Sequence, residues 1–175
     1  MLVSAVELFE DVIDQKSAVT QLQITLENPV HAYLFLGPKG SCKWDAAKGF
    51  AAKILSNNQS GQDQGRTINL VKKGEHPDLI RISPTGNQYR DDDVQLIINE
   101  ASRSPIEGNK KIIVADRFHT ANETAVGRLL KTLEEPPPAI IIILLSEIIP
   151  RNQITIASRC QQVQFNRISD SEMER

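Results

Sequence analysis

Cysteine is scarce in this chain. Two occur in 175 residues, Cys42 and Cys160, far apart and without CxxC spacing. That leaves out a disulfide framework and a closed zinc site, and it fits a reducing, intracellular setting. Long apolar runs are missing too. The longest strongly apolar stretch, AIIIILL at 139–145, is far shorter than a membrane span, and the first residues lack a basic region followed by an apolar signal core. A cytoplasmic chain with no membrane partner is expected. A basic excess is also lacking: the formal net charge is −2. Autonomous nucleic-acid binders carry a surplus of cations to neutralise phosphates, so any DNA contact here is local or shared with partners. No internal repeat is visible. What remains is an ordinary globular composition, 40% hydrophobic and 24% charged, over a length that suits one sizeable core.

Apolar spacing organises the chain into alternating strands and helices. Asp14 can cap a helix over roughly 15–27, where Ala18, Val19, Leu22 and Leu26 recur at helical spacing before Asn28-Pro29 stops it. HAYLFL at 31–36 reads as a buried strand ending at Gly37, and 45–55 resumes a helical period. SNNQSGQDQGRT, within a polar excursion over about 56–74, shows no apolar period and is expected to be an exposed detour. DLIRI at 78–82 and KIIVA at 111–115 read as strands, with an acid-capped helix from Asp91 between them. A helix over 122–133 ends at Glu134-Glu135 and three prolines, which cannot continue it. Residues 140–145 are apolar at every position, the mark of a strand covered on both faces in a parallel sheet, and a short strand at 162–165 follows. This alternation predicts a three-layer α/β/α sandwich with a mostly parallel sheet.

GPKGSCKW at 37–44 sits between a strand and a helix, where a phosphate-binding loop belongs. A working GxxxxGK[ST] loop needs its last glycine to let backbone amides close on the phosphates, its lysine to reach the β and γ oxygens, and its hydroxyl to hold Mg²⁺. Gly37, Gly40 and Lys43 are in place, whereas Cys42 stands at the last glycine and Trp44 at the hydroxyl. Cys42 adds a Cβ where the backbone bends tightly, and an indole cannot ligate magnesium. In phosphate-loop ATPases a later strand ends in a metal-holding acid, often followed by a glutamate that activates water. KIIVADRF supplies Asp116, but Arg117 fills the glutamate's place, and an arginine that stays protonated accepts no proton. Ser158-Arg159-Cys160 comes after the 140–145 strand. Taken alone Arg159 reads as a surface arginine, but an arginine held at a subunit edge can complete a neighbour's phosphoryl-transfer site.

Five stretches together resemble a known family: FEDVIDQKSAV, HAYLFLGPKGSCK, GEHPDLIRI, RLLKTLEEPPP and SRC. They are similar to the clamp-loader branch of the AAA+ ATPases, phosphate-loop NTPases, and within it to the delta-prime-type subunits of bacterial DNA polymerase III. The resemblance implies that 9–15 lies near the adenine pocket, that Gly37 to Lys43 is the Walker A loop and Asp116 the Walker B acid, that Ser146 falls at the polar sensor position, and that Arg159 is an arginine finger acting in trans. Delta-prime subunits commonly combine a ruined nucleotide site with an intact SRC, and that combination stands here.

Relatives often carry four zinc-binding cysteines in the excursion after the loop helix. The stretch 56–74 contains none, so no zinc is expected. Gly127 and Arg128 replace a small residue and an asparagine frequent before the LLKTLEEPP core, a departure that bears on contacts of that helix with subunits or DNA. Relatives also continue into lid and collar domains, so 1–175 is expected to be the N-terminal AAA+-like domain alone. The implied function is a clamp-loader stator in DNA replication, working with gamma/tau and delta subunits, the sliding clamp and primer-template DNA. Any cofactor would be ATP or ADP, held weakly. The alternative is an ATP-hydrolysing gamma/tau-like motor subunit, which Lys43 and Asp116 support. His31, His76 and His119 share no ligand spacing and are expected to be structural. Glu134-Glu135 is a pair of acids at a helix end, unfavourable for the dipole, and so either a solvated turn or a partner contact.

Overall fold

A computed structural model describes residues 7–169; the first and last six residues of the expected 1–175 domain lie outside them. A short 3₁₀ turn at Glu7–Phe9 leads into α1 (Lys16–Thr25), then β1 (Ala32–Leu36), α2 (Lys43–Leu55) and α3 (Gly61–Lys73). Next come β2 (Leu79–Ile82), α4 (Asp91–Ala101), β3 (Lys111–Ala115), α5 (Glu123–Glu134), β4 (Ile140–Ser146), α6 (Ile154–Ala157) and β5 (Gln161–Gln164). The strands form one sheet in the order β2-β3-β4-β1-β5, and every pairing is parallel.

Parallel strands need long crossovers, and the helices that make them cover both faces. Alternate side chains of the central strands therefore enter two separate cores. Tyr33 and Phe35 of β1, Ile112 and Val114 of β3, and Ile141 and Ile143 of β4 pack with α1, α2 and α3. Their neighbours Leu34, Ile113 and Ile142 pack with α4 and α5. This is the expected three-layer sandwich, and the all-buried pattern of β4 is what its unbroken apolar run requires.

Two local expectations fail for physical reasons. Asp14 does not cap α1: its φ is 55°, and the cap position belongs to Gln15. The Gln15 amide is instead tied to the strand-five side of the sheet, donating to the Asn166 carbonyl at 2.8 Å and accepting from its N–H at 2.9 Å. The polar detour is not irregular either, because most of it is α3. Its buried positions, Gln64, Thr67, Ile68 and Val71, follow the helical i, i+3, i+4, i+7 pattern. Two of the four are polar, so a count of apolar residues could not reveal the face.

The sheet order carries the ends of β1, β3 and β4 to one edge. Leu36 pairs with Ser146, and Ala115 with Leu144. β5 closes on the other side of β1, with the Phe165 N–H donating to the Leu36 carbonyl at 2.7 Å. That approach explains Gly37 independently of any phosphate: a Cβ there would lie 2.5 Å from the Phe165 carbonyl oxygen and 2.7 Å from its Cβ. Gly37→Ala should therefore force β5 away from β1 and lower stability by about 1–3 kcal/mol, measured by urea unfolding. Stability equal to that of the parent would refute the packing role.

Candidate functional site

The carboxyl ends of parallel strands are where α/β sheets hold ligands. Here they border a cavity of about 520 Å³, lined by the loop from Lys39 to Asp45, by Asp116, Arg117 and His119 after β3, and by the end of β4 at Ser146 and Glu147. The structure thus brings Gly40, Lys43, Asp116 and Ser146 together, with Gly37 at the loop's root. Arg159 is elsewhere, and none of residues 9–15 lines the cavity. Phe9 is buried in the core instead.

The loop turns on two residues. Gly40 has φ 80° and Cys42 φ 60°, both left-handed. The first is free for glycine, while the second places a β-carbon in a region that costs about 1–2 kcal/mol. α2 starts at Lys43, two residues earlier than the apolar period suggests. The Lys43 ammonium folds into its own loop, donating to the Gly37 carbonyl at 2.5 Å, the Pro38 carbonyl at 2.7 Å and the Ser41 hydroxyl at 3.3 Å. Burial lowers its pKa, and the Glu147 and Asp116 carboxylates partly oppose that.

Asp116 is not a free acid. Its carboxylate accepts from Arg81 Nη2 at 2.6 Å. The same guanidinium lies over the Trp44 indole, its central carbon 4.4 Å from the ring centre, and Lys48 approaches the ring at 5.8 Å. Trp44 also packs against the first core, near Gly74. Arg81 comes from β2, the far edge strand, and strand-by-strand reading gave no reason to single it out. The only signal available was an arginine in a strand otherwise made of leucine and isoleucine. His119, expected to be structural, borders the cavity, and its Nδ1 accepts the Glu147 N–H at 3.2 Å. Burial lowers its pKa. His31 and His76 are structural as expected, bonding the Leu133 carbonyl and accepting the Asp78 N–H.

Ser146 closes the cavity floor. Its carbonyl accepts the Gly37 N–H at 3.1 Å, while its hydroxyl, on a residue 1% exposed, has no hydrogen-bond partner among the described residues. Arg117, at φ 52°, adds a cationic side chain to the same lining. No group of three His, Cys, Asp or Glu among the described residues is placed to hold a metal. No helix among them is long and apolar enough to cross a membrane.

Arg159 follows α6 on another edge. Its Nη1 donates to the Thr155 carbonyl at 2.9 Å and its Nη2 to Glu134 at 2.7 Å, so the last residue of α5 holds the SRC arginine. Cys160 beside it packs against the second core, where burial pushes its thiol up to about 12.

Comparison with known proteins follows the same lines. The family described as DNA polymerase III, delta subunit, matches residues 14–169. The delta-prime subunit of Bacillus subtilis DNA polymerase III is 32% identical over 146 residues, covering 82% of this chain and 44% of that protein. The tau subunit of the same organism is 34% identical over 166 residues, covering 92% and 29%. The chain therefore spans less than half the length of either relative. Among solved structures, a DNA polymerase III gamma subunit-related protein of Thermotoga maritima superposes with a TM-score of 0.63 at 20% identity, over 89% of this chain and 47% of that one. It shares the phosphate-loop AAA+ fold.

The left-handed Cys42 makes a direct prediction. Cys42→Gly should remove about 1–2 kcal/mol of backbone cost and add about 0.4–1 kcal/mol through the freer unfolded chain. The expected net is a gain of about 0–1.6 kcal/mol in thermal unfolding. A clear loss of stability would show that the thiol, and not the backbone, is what the position requires.

Proposed function

The chain belongs to the DNA polymerase III delta-subunit family, within the clamp-loader group that includes the tau and gamma subunits, and on that premise we propose that it acts as a stator. It hydrolyses little or no ATP itself and presents Arg159 to the nucleotide of an adjoining gamma or tau subunit. With those subunits and delta, it takes part in loading the sliding clamp onto primer-template DNA. The observation that carries this reading is the separation of the two sites. Arg159 stands outside its own cavity with its side chain 37% exposed, while that cavity has Trp44 and Arg117 where a metal-holding hydroxyl and a base belong.

The magnitudes favour transfer of Arg159 to a partner. An exposed ion pair such as Arg159 with Glu134 contributes up to about 1 kcal/mol, whereas hydrogen bonds between a guanidinium and a charged phosphate oxygen are worth about 1.5–3 kcal/mol. The intramolecular pair orients the side chain without outcompeting a neighbour's phosphates. Glu134 thus gains a role for an acid that a helix end disfavours.

In an assembled complex with gamma or tau, delta, clamp and primed DNA, Arg159→Ala should lower turnover at the adjoining motor site by about a thousandfold. Unchanged stimulated hydrolysis would overturn the reading. Magnesium-dependent turnover by this chain alone, abolished by Lys43→Ala, would instead identify a gamma/tau-like motor subunit.

A further inference from the structure

A magnesium nucleotide is the ligand that a phosphate-loop fold implies, and the residues here do not fit its metal. Mg²⁺ demands oxygen ligands in near-octahedral order at about 2.0–2.1 Å. Asp116, the acid that should contribute one, is occupied by Arg81 at 2.6 Å. Trp44, at the hydroxyl position, offers no oxygen and carries the same guanidinium on its face. A divalent cation would have to displace a permanent positive charge from its one carboxylate partner among the described residues.

We propose that this cavity is a polyphosphate site that works without a divalent cation, with Arg81 supplying the positive charge that the metal supplies in a working loop. Four features converge on it. Arg81 uses one nitrogen on Asp116, and its other donors have no partner among the described residues. The lining holds four cationic side chains against three carboxylates, and two of those carboxylates are already paired, Asp116 with Arg81 and Asp45 with Lys48. The loop retains its left-handed Gly40 and Cys42, which turn it into the start of a 13-residue helix whose first amides have no intrahelical acceptor. Ser146 borders the cavity, and its buried hydroxyl has no hydrogen-bond partner among the described residues. Lys43 now donates to two loop carbonyls, and an anion would offer it a charged acceptor in their place.

The lining comes from the phosphate side only, since 9–15 contributes nothing to it. The shared chemistry is therefore the polyphosphate, whether from inorganic pyrophosphate or from a nucleoside triphosphate. Arg159 plays no part in this site, so metal-free binding by the chain and trans stimulation in the complex can fail separately.

Trp44 is the single tryptophan of the chain and lies in the cavity wall, so its fluorescence reports occupancy directly. The purified chain is titrated with pyrophosphate and, separately, with ATP, each in EDTA and in excess magnesium. Saturable binding in EDTA, no weaker than with magnesium, is expected. A response to both ligands identifies the polyphosphate itself, and a response to ATP alone identifies a nucleotide. Arg81→Ala, with unchanged far-UV circular dichroism, should weaken binding about tenfold or more. If that variant does not fold, Arg81→Gln takes its place with the same expectation. The double variant Trp44→Thr with Arg81→Ala, followed by calorimetry, should acquire magnesium dependence because Asp116 and a hydroxyl become available together. Binding that appears only with magnesium in the parent chain, binding indifferent to loss of Arg81, or no saturable response to either ligand would overturn the proposal.

Discussion

Parallel pairing of β1 between β4 and β5 is the constraint on which the rest depends. It sets Leu36 beside Ser146 and, through β4, aligns the end of β3 with both. The side chains of the cavity then come from the carboxyl-terminal ends of the strands and from the loops and helix start that follow them. The same pairing compels Gly37, because β5 comes too close for a side chain at that point. A residue that a phosphate loop would select for its backbone is thus also required by strand packing, and the two demands cannot be separated by reading the motif.

Within the cavity, electrostatics decide what the inherited outline can do. Arg81, Asp116 and Trp44 form a stack in which each member limits the others. The carboxylate holds the guanidinium, the guanidinium covers the indole, and the indole is anchored on the core beneath α2. Both charged partners are partly exposed, so the ion pair contributes modestly to folding. Its consequence is local. It sets a fixed positive charge in the cavity wall, and Arg117 adds another.

Much of this was legible along the chain. The strand positions, the loop, Asp116 and the two substitutions at Cys42 and Trp44 could be read directly, because strand burial and loop chemistry leave marks at fixed spacing. α3 was not legible, since Gln64 and Thr67 occupy inward positions that hydrophobicity does not flag. The contacts of Arg81 and His119 were not legible for a different reason. Each belongs to an element whose local pattern is ordinary, and only the sheet order brings it to Asp116 or Glu147. The link between Glu134 and Arg159 is of the same kind, joining the end of one helix to the turn after another across 25 residues.

Alternating strand and helix periods, a glycine loop after the first strand and an apolar run fit for burial on both faces determine an α/β sandwich with its loop at a strand end. Those are short-range properties, set by backbone sterics and by periods of two and 3.6 residues. Which side chains neutralise which was decided only in three dimensions. Charge acts through space, and the partners of Asp116 and Arg159 lie 35 and 25 residues away along the chain.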